Sequence, residues 1–290
     1  MPETEATMIG KTCLVTGATS GIGAVTAEEL ARKGATVVLV GRDPTRCEAA
    51  LARIRQRTGN PRVEALVADL SSQAEVRLLA EEFRRRFDRL DVLVNNAGAL
   101  FLERRETVDG IERTFALNHL AYFLLTILLR DLLEASSPSR VVIVSSEAHR
   151  GMTLDFDDLE GRRRYQGMMA YGRSKLANLL FARELARRLE GTGVTVNALH
   201  PGFVNSSFFS GHGTGYWAMR RLAGVFAISP EQGARTSVYL ASAPEVEGVS
   251  GRYFIKRTPA EPSRAAKDDE AARRLWRVSE ERTGLASPSP

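Results

Sequence analysis

Cysteine is scarce in this chain: Cys13 and Cys47 are the only two among 290 residues. One sits in an apolar, strand-like run and the other on a helical pattern, so no disulfide framework can be written. Both are read as buried thiols in a reducing compartment, which points to the cytoplasm. Neither has a second ligand at metal spacing, and the four histidines are scattered, so no metal site is expected. Long apolar runs are also missing. The longest, such as 121–129, are too short to span a bilayer, and no transmembrane segment is expected. Residues 1–9 are acidic and offer neither the basic start nor the apolar stretch of a signal peptide. A nucleic-acid recognition motif is absent too. The net charge of +5 comes from arginines spread over helical patterns (84–86, 162–164, 187–188) among acids, which reads as a solvated basic surface.

What is present is an ordinary globular composition, 43% hydrophobic and 26% charged, long enough for one large α/β domain. Short apolar, β-branched runs at 12–16, 36–40, 63–68, 92–95, 141–145, 194–199 and 253–255 alternate with amphipathic stretches at 22–33, 44–57, 73–87, 109–134, 170–190 and 230–241. Strands that are almost continuously hydrophobic are buried on both faces. The pattern predicts a single doubly wound (Rossmann) domain over 8–257, with a seven-stranded parallel sheet flanked by helices and ligands beyond the carboxyl ends of the strands. Three stretches break the alternation: a polar connection at 147–169, a Gly-, Phe- and Ser-rich segment at 203–229, and a polar surface tail at 258–290 with one helical run near 271–281.

Val15-Thr16-Gly17-Ala18-Thr19-Ser20-Gly21-Ile22-Gly23 follows the first strand and opens a helix. Glycines at 17, 21 and 23 let the backbone turn sharply and approach a pyrophosphate, which the helix N-terminus attracts. After the second strand, an acid would hold the ribose hydroxyls of NAD and repel a 2′-phosphate. Gly41 and then Arg42 stand there instead, and a guanidinium binds a phosphate as a fork, so NADP is expected. Tyr171-Gly172-Arg173-Ser174-Lys175 opens a strongly helical run, with phenol and ammonium on one face. A tyrosine with a pKa near ~10 shuttles protons poorly at neutral pH, and a neighbouring ammonium favours its phenolate.

The Gly-x-x-x-Gly-x-Gly spacing, Asn95-Asn96-Ala97-Gly98 after the fourth strand and Tyr171-x-x-x-Lys175 resemble the short-chain dehydrogenase/reductase family. That resemblance implies an oxidoreductase interconverting a carbonyl and its alcohol, with four catalytic residues: Asn118, Ser146, Tyr171 and Lys175. Ser146, rather than Ser145, would align the carbonyl, and Asn118 would anchor a water-borne proton relay behind Lys175, which also holds the nicotinamide ribose. It further implies a cofactor-binding set: Gly17, Thr19, Ser20, Gly21, Ile22 and Gly23 at the turn, then Arg42, then Asp69 and Leu70 by the adenine. Asn96, Ala97 and Gly98 continue it, followed by Pro201, Gly202, Val204 and Ser206 near the carboxamide. NADP-preferring relatives often carry a basic residue where Ser20 stands. A catalytically silent NADP-binding sensor would have no chemical need for all four catalytic residues.

Tyr171 lies twenty-five residues after Ser146, about twice the usual family spacing. With Ser145-Ser146-Glu147-Ala148-His149 and Leu176-Ala177-Asn178, this insertion resembles the retinol dehydrogenase-like branch. Residues 203–229, with Phe203, Phe208, Phe209, Tyr216, Trp217 and Phe226, would then form a substrate lid for a lipophilic aldehyde or ketone. His149 could face the substrate, whereas His119 and His200 read as hydrogen-bonded structural residues and His212 as a lone residue of the lid. Family members commonly pair through helices that correspond to 109–134 and 170–190, implying a homodimer or homotetramer.

Overall fold

The computed structural model describes residues 7–203, 209–210 and 228–285. Its main sheet contains β1 (Thr12–Thr16), β2 (Thr36–Gly41), β3 (Val63–Val67), β4 (Val92–Asn95), β6 (Ser139–Val144), β7 (Val194–His200), β9 (Tyr253–Ile255) and β10 (Thr258–Pro259). Two further short strands, β5 (Leu100–Phe101) and β8 (Phe209–Ser210), pair in parallel outside it. The order in the main sheet is β10-β9-β7-β6-β4-β1-β2-β3. Seven strands are parallel, as expected. The eighth, β10, is antiparallel to β9 and corrects the seven-strand expectation: two exposed residues with a proline at an edge carry no strand signal.

Successive residues of β1 serve opposite faces. Leu14 joins one core with Val38, Phe83, Phe123 and Leu180, while Cys13 and Val15 join another with Leu30, Leu39 and Ile54. The helices α1 (Gly21–Arg32), α2 (Pro44–Thr58) and α8 (Pro230–Ser242) supply the second core, and α3 (Gln73–Arg86), α5 (Ala121–Leu128) and α7 (Gly167–Arg188) the first. Both sides of the sheet are therefore dry, which explains its unbroken apolar strands. Because β1 pairs with both β2 and β4, the chain reverses its winding there, and the crevice of a doubly wound sheet opens beyond their carboxyl ends.

The helix expected over 109–134 is broken. A short turn α4 (Arg113–Phe115) runs into a π-helical turn, Ala116–Leu120, then α5, and α6 (Arg130–Ala135) follows. Such a turn adds one residue to the helical ladder and turns its side chains out of line, an arrangement common at functional sites. It carries Asn118. The stretch 258–290, read as a surface tail, is corrected over 258–285. There α9 (Asp269–Arg282) buries Leu275 and Trp276 against α5 and α7. The indole lies 5.0 Å from the Phe123 ring, beneath the Arg188 guanidinium at 4.1 Å. His119 Nε2 meets Ser279 Oγ at 2.9 Å, and burial brings that imidazole down to about 4.

Candidate active site

A cavity of about 590 Å³ opens at the carboxyl ends of β1, β2, β4, β6 and β7. One end is made of backbone. Gly17 has φ +65°, and a Cβ there would sit 2.8 Å from Ala97 Cα; a Cβ on Gly23 would run into the Gly17 carbonyl and the Asn96 amide. Asn96 locks this contact by donating from Nδ2 to the Thr16 carbonyl at 2.8 Å, and Thr16 Oγ1 accepts the Asn96 and Ala97 N–H groups. Ser20 precedes α1 without capping it, so the first N–H groups of that helix are left facing the cavity. Glycine-lined backbone that a methyl would block, aimed along a helix N-terminus, fits a dinucleotide's phosphates.

Gly41 is constrained in the same way. A side chain there would collide with Thr19 and come within 2.8 Å of Cys47 Sγ, so an acid in the place from which ribose hydroxyls would be held would have to push both aside. Arg42 borders the cavity, and Arg46 reaches back from the first turn of α2 to put Nη2 3.2 Å from Ser20 Oγ. Sequence reasoning missed Arg46. The basic group absent at position 20 is supplied in space from four residues beyond Arg42, and that spacing on a helix start was the available signal. Asp43 caps α2 by accepting the Arg46 N–H. Asp69, Leu70, Gly98, Pro201 and Gly202 also line the cavity, whereas Val204 and Ser206 lie outside the described residues, with most of 203–229.

At the other end, Tyr171 and Lys175 project from α7 and Ser146 from the end of β6. Burial raises the Tyr171 phenol above its ordinary value, and a hydrogen bond with Ser146 works against that rise. Ser146 Oγ accepts the Ala148 N–H at 3.2 Å, while Ser145 Oγ is turned away, donating to the Lys175 carbonyl at 2.7 Å. The Lys175 ammonium donates to the Val144 carbonyl at 3.1 Å and lies 5.5 Å from the Tyr171 ring centre. Burial brings it down to about 7. Asn118 stands behind Gly98 rather than on the cavity wall. Its Oδ1 accepts the Ala99 N–H, and its Nδ2 donates to the Ala99 carbonyl and Ser174 Oγ, each at 3.0 Å.

His149 does not face the substrate side. Its Nε2 accepts the Ser263 N–H at 3.1 Å, which leaves Nδ1 to donate to the Ser146 carbonyl at 2.7 Å. Next to it, Glu147 accepts from Tyr253 Oη at 2.8 Å and Arg150 Nε at 2.7 Å, and His200 Nδ1 accepts the Glu147 N–H. Burial pushes the Glu147 carboxyl up, but Arg150 and Tyr253 outweigh it and hold it below the usual range. The serine loop is thus fastened by residues more than a hundred positions away, which no local pattern signals. Among the described residues no three His, Cys, Asp or Glu side chains gather to hold a metal ion, and no helix is long and apolar enough to cross a membrane.

Comparison with known proteins agrees with this arrangement. The sequence profile of the short chain dehydrogenase family matches residues 11–215. Human retinol dehydrogenase 13 is 46% identical, over 98% of this chain and 88% of its own. A crystal structure of an uncharacterized protein from Mycobacterium paratuberculosis superposes with a TM-score of 0.77 at 38% identity, covering 95% of this chain and 94% of that one. A short chain dehydrogenase from Burkholderia cenocepacia, solved in complex with NADP, superposes at 0.69 with 28% identity, covering 86% and 96%. The chain belongs to the short-chain dehydrogenase/reductase family, in its retinol dehydrogenase-like branch.

Proposed function

We propose that this oxidoreductase uses NADPH to reduce a lipophilic aldehyde or ketone to its alcohol, the reverse oxidation being the minor direction. The observation that carries this reading is the single cavity that joins Ser146, Tyr171 and Lys175 to a glycine cradle flanked by Arg42 and Arg46. When bound, the nicotinamide supplies hydride to the carbonyl carbon. Tyr171 donates its phenolic proton to the carbonyl oxygen, and Ser146 Oγ hydrogen-bonds that oxygen as charge builds on it. Lys175, with its pKa brought down to about 7, changes protonation state at neutral pH and can return a proton to Tyr171. Asn118 holds the Ala99 backbone and the Ser174 hydroxyl in place beside it, where a water would complete the relay.

Two guanidinium groups, with no acid opposite them at Gly41, support NADP over NAD. Cellular NADPH pushes the reaction towards reduction. Phe101, Leu117, Met168 and Phe203 line the carbonyl end and support an apolar substrate body. The buried thiols of Cys13 and Cys47 suit a reducing cytoplasm. A homodimer or homotetramer formed through α5 and α7 would have to leave room for α9, which covers Phe123 and Phe181 on those helices.

The test follows NADPH oxidation at its near-ultraviolet absorbance, against aldehydes and ketones graded from short and polar to long and apolar. Wild type runs beside Tyr171→Phe, with NADH as control. Turnover that needs NADPH, rises with apolar length and disappears in the variant is the expected outcome. Equal turnover with NADH, or preference for small polar carbonyls, would overturn the corresponding part of the reading.

A further inference from the structure

Arg113 opens the short turn α4 and lines the same cavity as Tyr171, half-buried. Its Cζ lies 4.6 Å from the centre of the Phe101 ring, so the flat guanidinium is steadied by the aromatic face. The adjoining acids are engaged elsewhere. Glu112 accepts the Thr114 and Phe115 N–H groups at 2.7 and 2.8 Å. Glu103 pairs with Arg105, Glu106 with Arg104, and Glu160 with Arg162 and Arg282. Among the described residues no carboxylate is left for Arg113.

Arg113 also lies on the catalytic side of the cavity. Phe101, on which it rests, is pressed against the start of α7: a Cβ on Gly167 would meet the Phe101 carbonyl and lie 2.8 Å from Leu102 Cα. Met168 follows on the cavity wall, and Tyr171 comes three residues later. Arg42 and Arg46 sit at the opposite end, beside Ser20. A cation withdrawn partly from water, aligned by a ring and left without a counter-ion is costly unless a ligand supplies the charge.

We propose that Arg113 is an anion subsite of the substrate pocket, and that the substrate is an apolar carbonyl compound bearing a carboxylate at the end remote from the reacting carbon. This rests on the reductase reading and narrows its substrate class. The apolar body lies along Phe101, Leu117 and Met168, and the carboxylate accepts hydrogen bonds from the guanidinium. The chemistry itself is unchanged: hydride goes to the carbonyl carbon, the proton of Tyr171 to its oxygen, and NADP⁺ and a hydroxy acid leave.

The test compares 9-oxononanoate, its methyl ester and nonanal with NADPH, in wild type, R113K and R113Q. In wild type the acid should have a KM at least about tenfold below that of the ester, the usual worth of a charge-assisted hydrogen bond. R113Q should erase that difference while leaving the ester's kcat and KM and the NADPH affinity unchanged, with R113K between. Decanoate, which cannot react, gives a reading independent of turnover: it should alter the fluorescence of bound NADPH in wild type about tenfold more tightly than in R113Q. Decanoate binding that depends on Arg113 with no carbonyl reduced would sink the reductase reading and keep the subsite. Reduction with acid and ester alike in wild type, or an R113Q defect confined to NADPH affinity, would overturn the subsite.

Discussion

The two ends of the cavity are built by different means. The cradle end is backbone: Gly17, Gly23 and Gly41 are fixed by what a single methyl would strike, and Asn96 is tied to Thr16 within the sheet. The carbonyl end is side chains, and its serine loop is tethered from afar by Tyr253 and Ser263. A site made of backbone is written in short motifs, because the residue types that permit the path are adjacent in the chain. A site steadied by distant hydrogen bonds leaves only isolated polar residues to read.

The comparison can be broken most severely at the carbonyl end. Tyr171→Phe should lower kcat by about 10³-fold or more through loss of the proton donor, with NADPH affinity, measured by fluorescence titration, unchanged. An affinity loss of similar size would mean the two ends are not separable. At the cradle, Gly17→Val combines a forbidden φ with the clash against Ala97, and NADPH affinity should drop on the order of 10²-fold or more while the catalytic residues stay in place. Arg46→Ala should raise the KM for NADPH by about tenfold and leave that for NADH untouched if, as proposed, Arg46 serves the 2′-phosphate alone. Equal effects on both cofactors would assign Arg46 elsewhere.

The smallest effect is one of stability. The folded pKa of Lys175, about 7, lies below its ordinary value of 10.5. Between those pH values the unfolded chain holds a proton that the folded chain has released, so the cofactor-free protein gains stability as pH rises from 7 towards 10. Lys175→Met should be inactive, yet melt higher at pH 7 by on the order of 5 °C, with the gap narrowing by pH 10. A variant that melts lower at every pH would show that the bond to Val144 outweighs burial.

The sheet and its crossover helices were legible because apolar periodicity encodes them; Tyr171 and Lys175 stood out by their spacing and Ser146 by family resemblance, and the fold brings the three to one cavity wall. Three features were not. The π-helical turn at Ala116–Leu120 is buried on almost every side, its polar Asn118 and His119 included, so no polar face marks where a residue is added. The stripe Ala272, Leu275, Trp276 and Ser279 was visible as a helix but sits among many arginines, and only contact with α5 and α7 shows that it is buried. His149 looked available to a substrate because nothing adjacent reveals Ser263 as its partner.

The packing at Gly41 also bears on how the cofactor preference can change over time. A side chain at that position requires Thr19 and Cys47 to give way. If NADP is the cofactor, a change of preference made at this position would have to carry its neighbours with it. A laboratory selection for NADH use should therefore yield changes at Arg42 and Arg46 before any at Gly41.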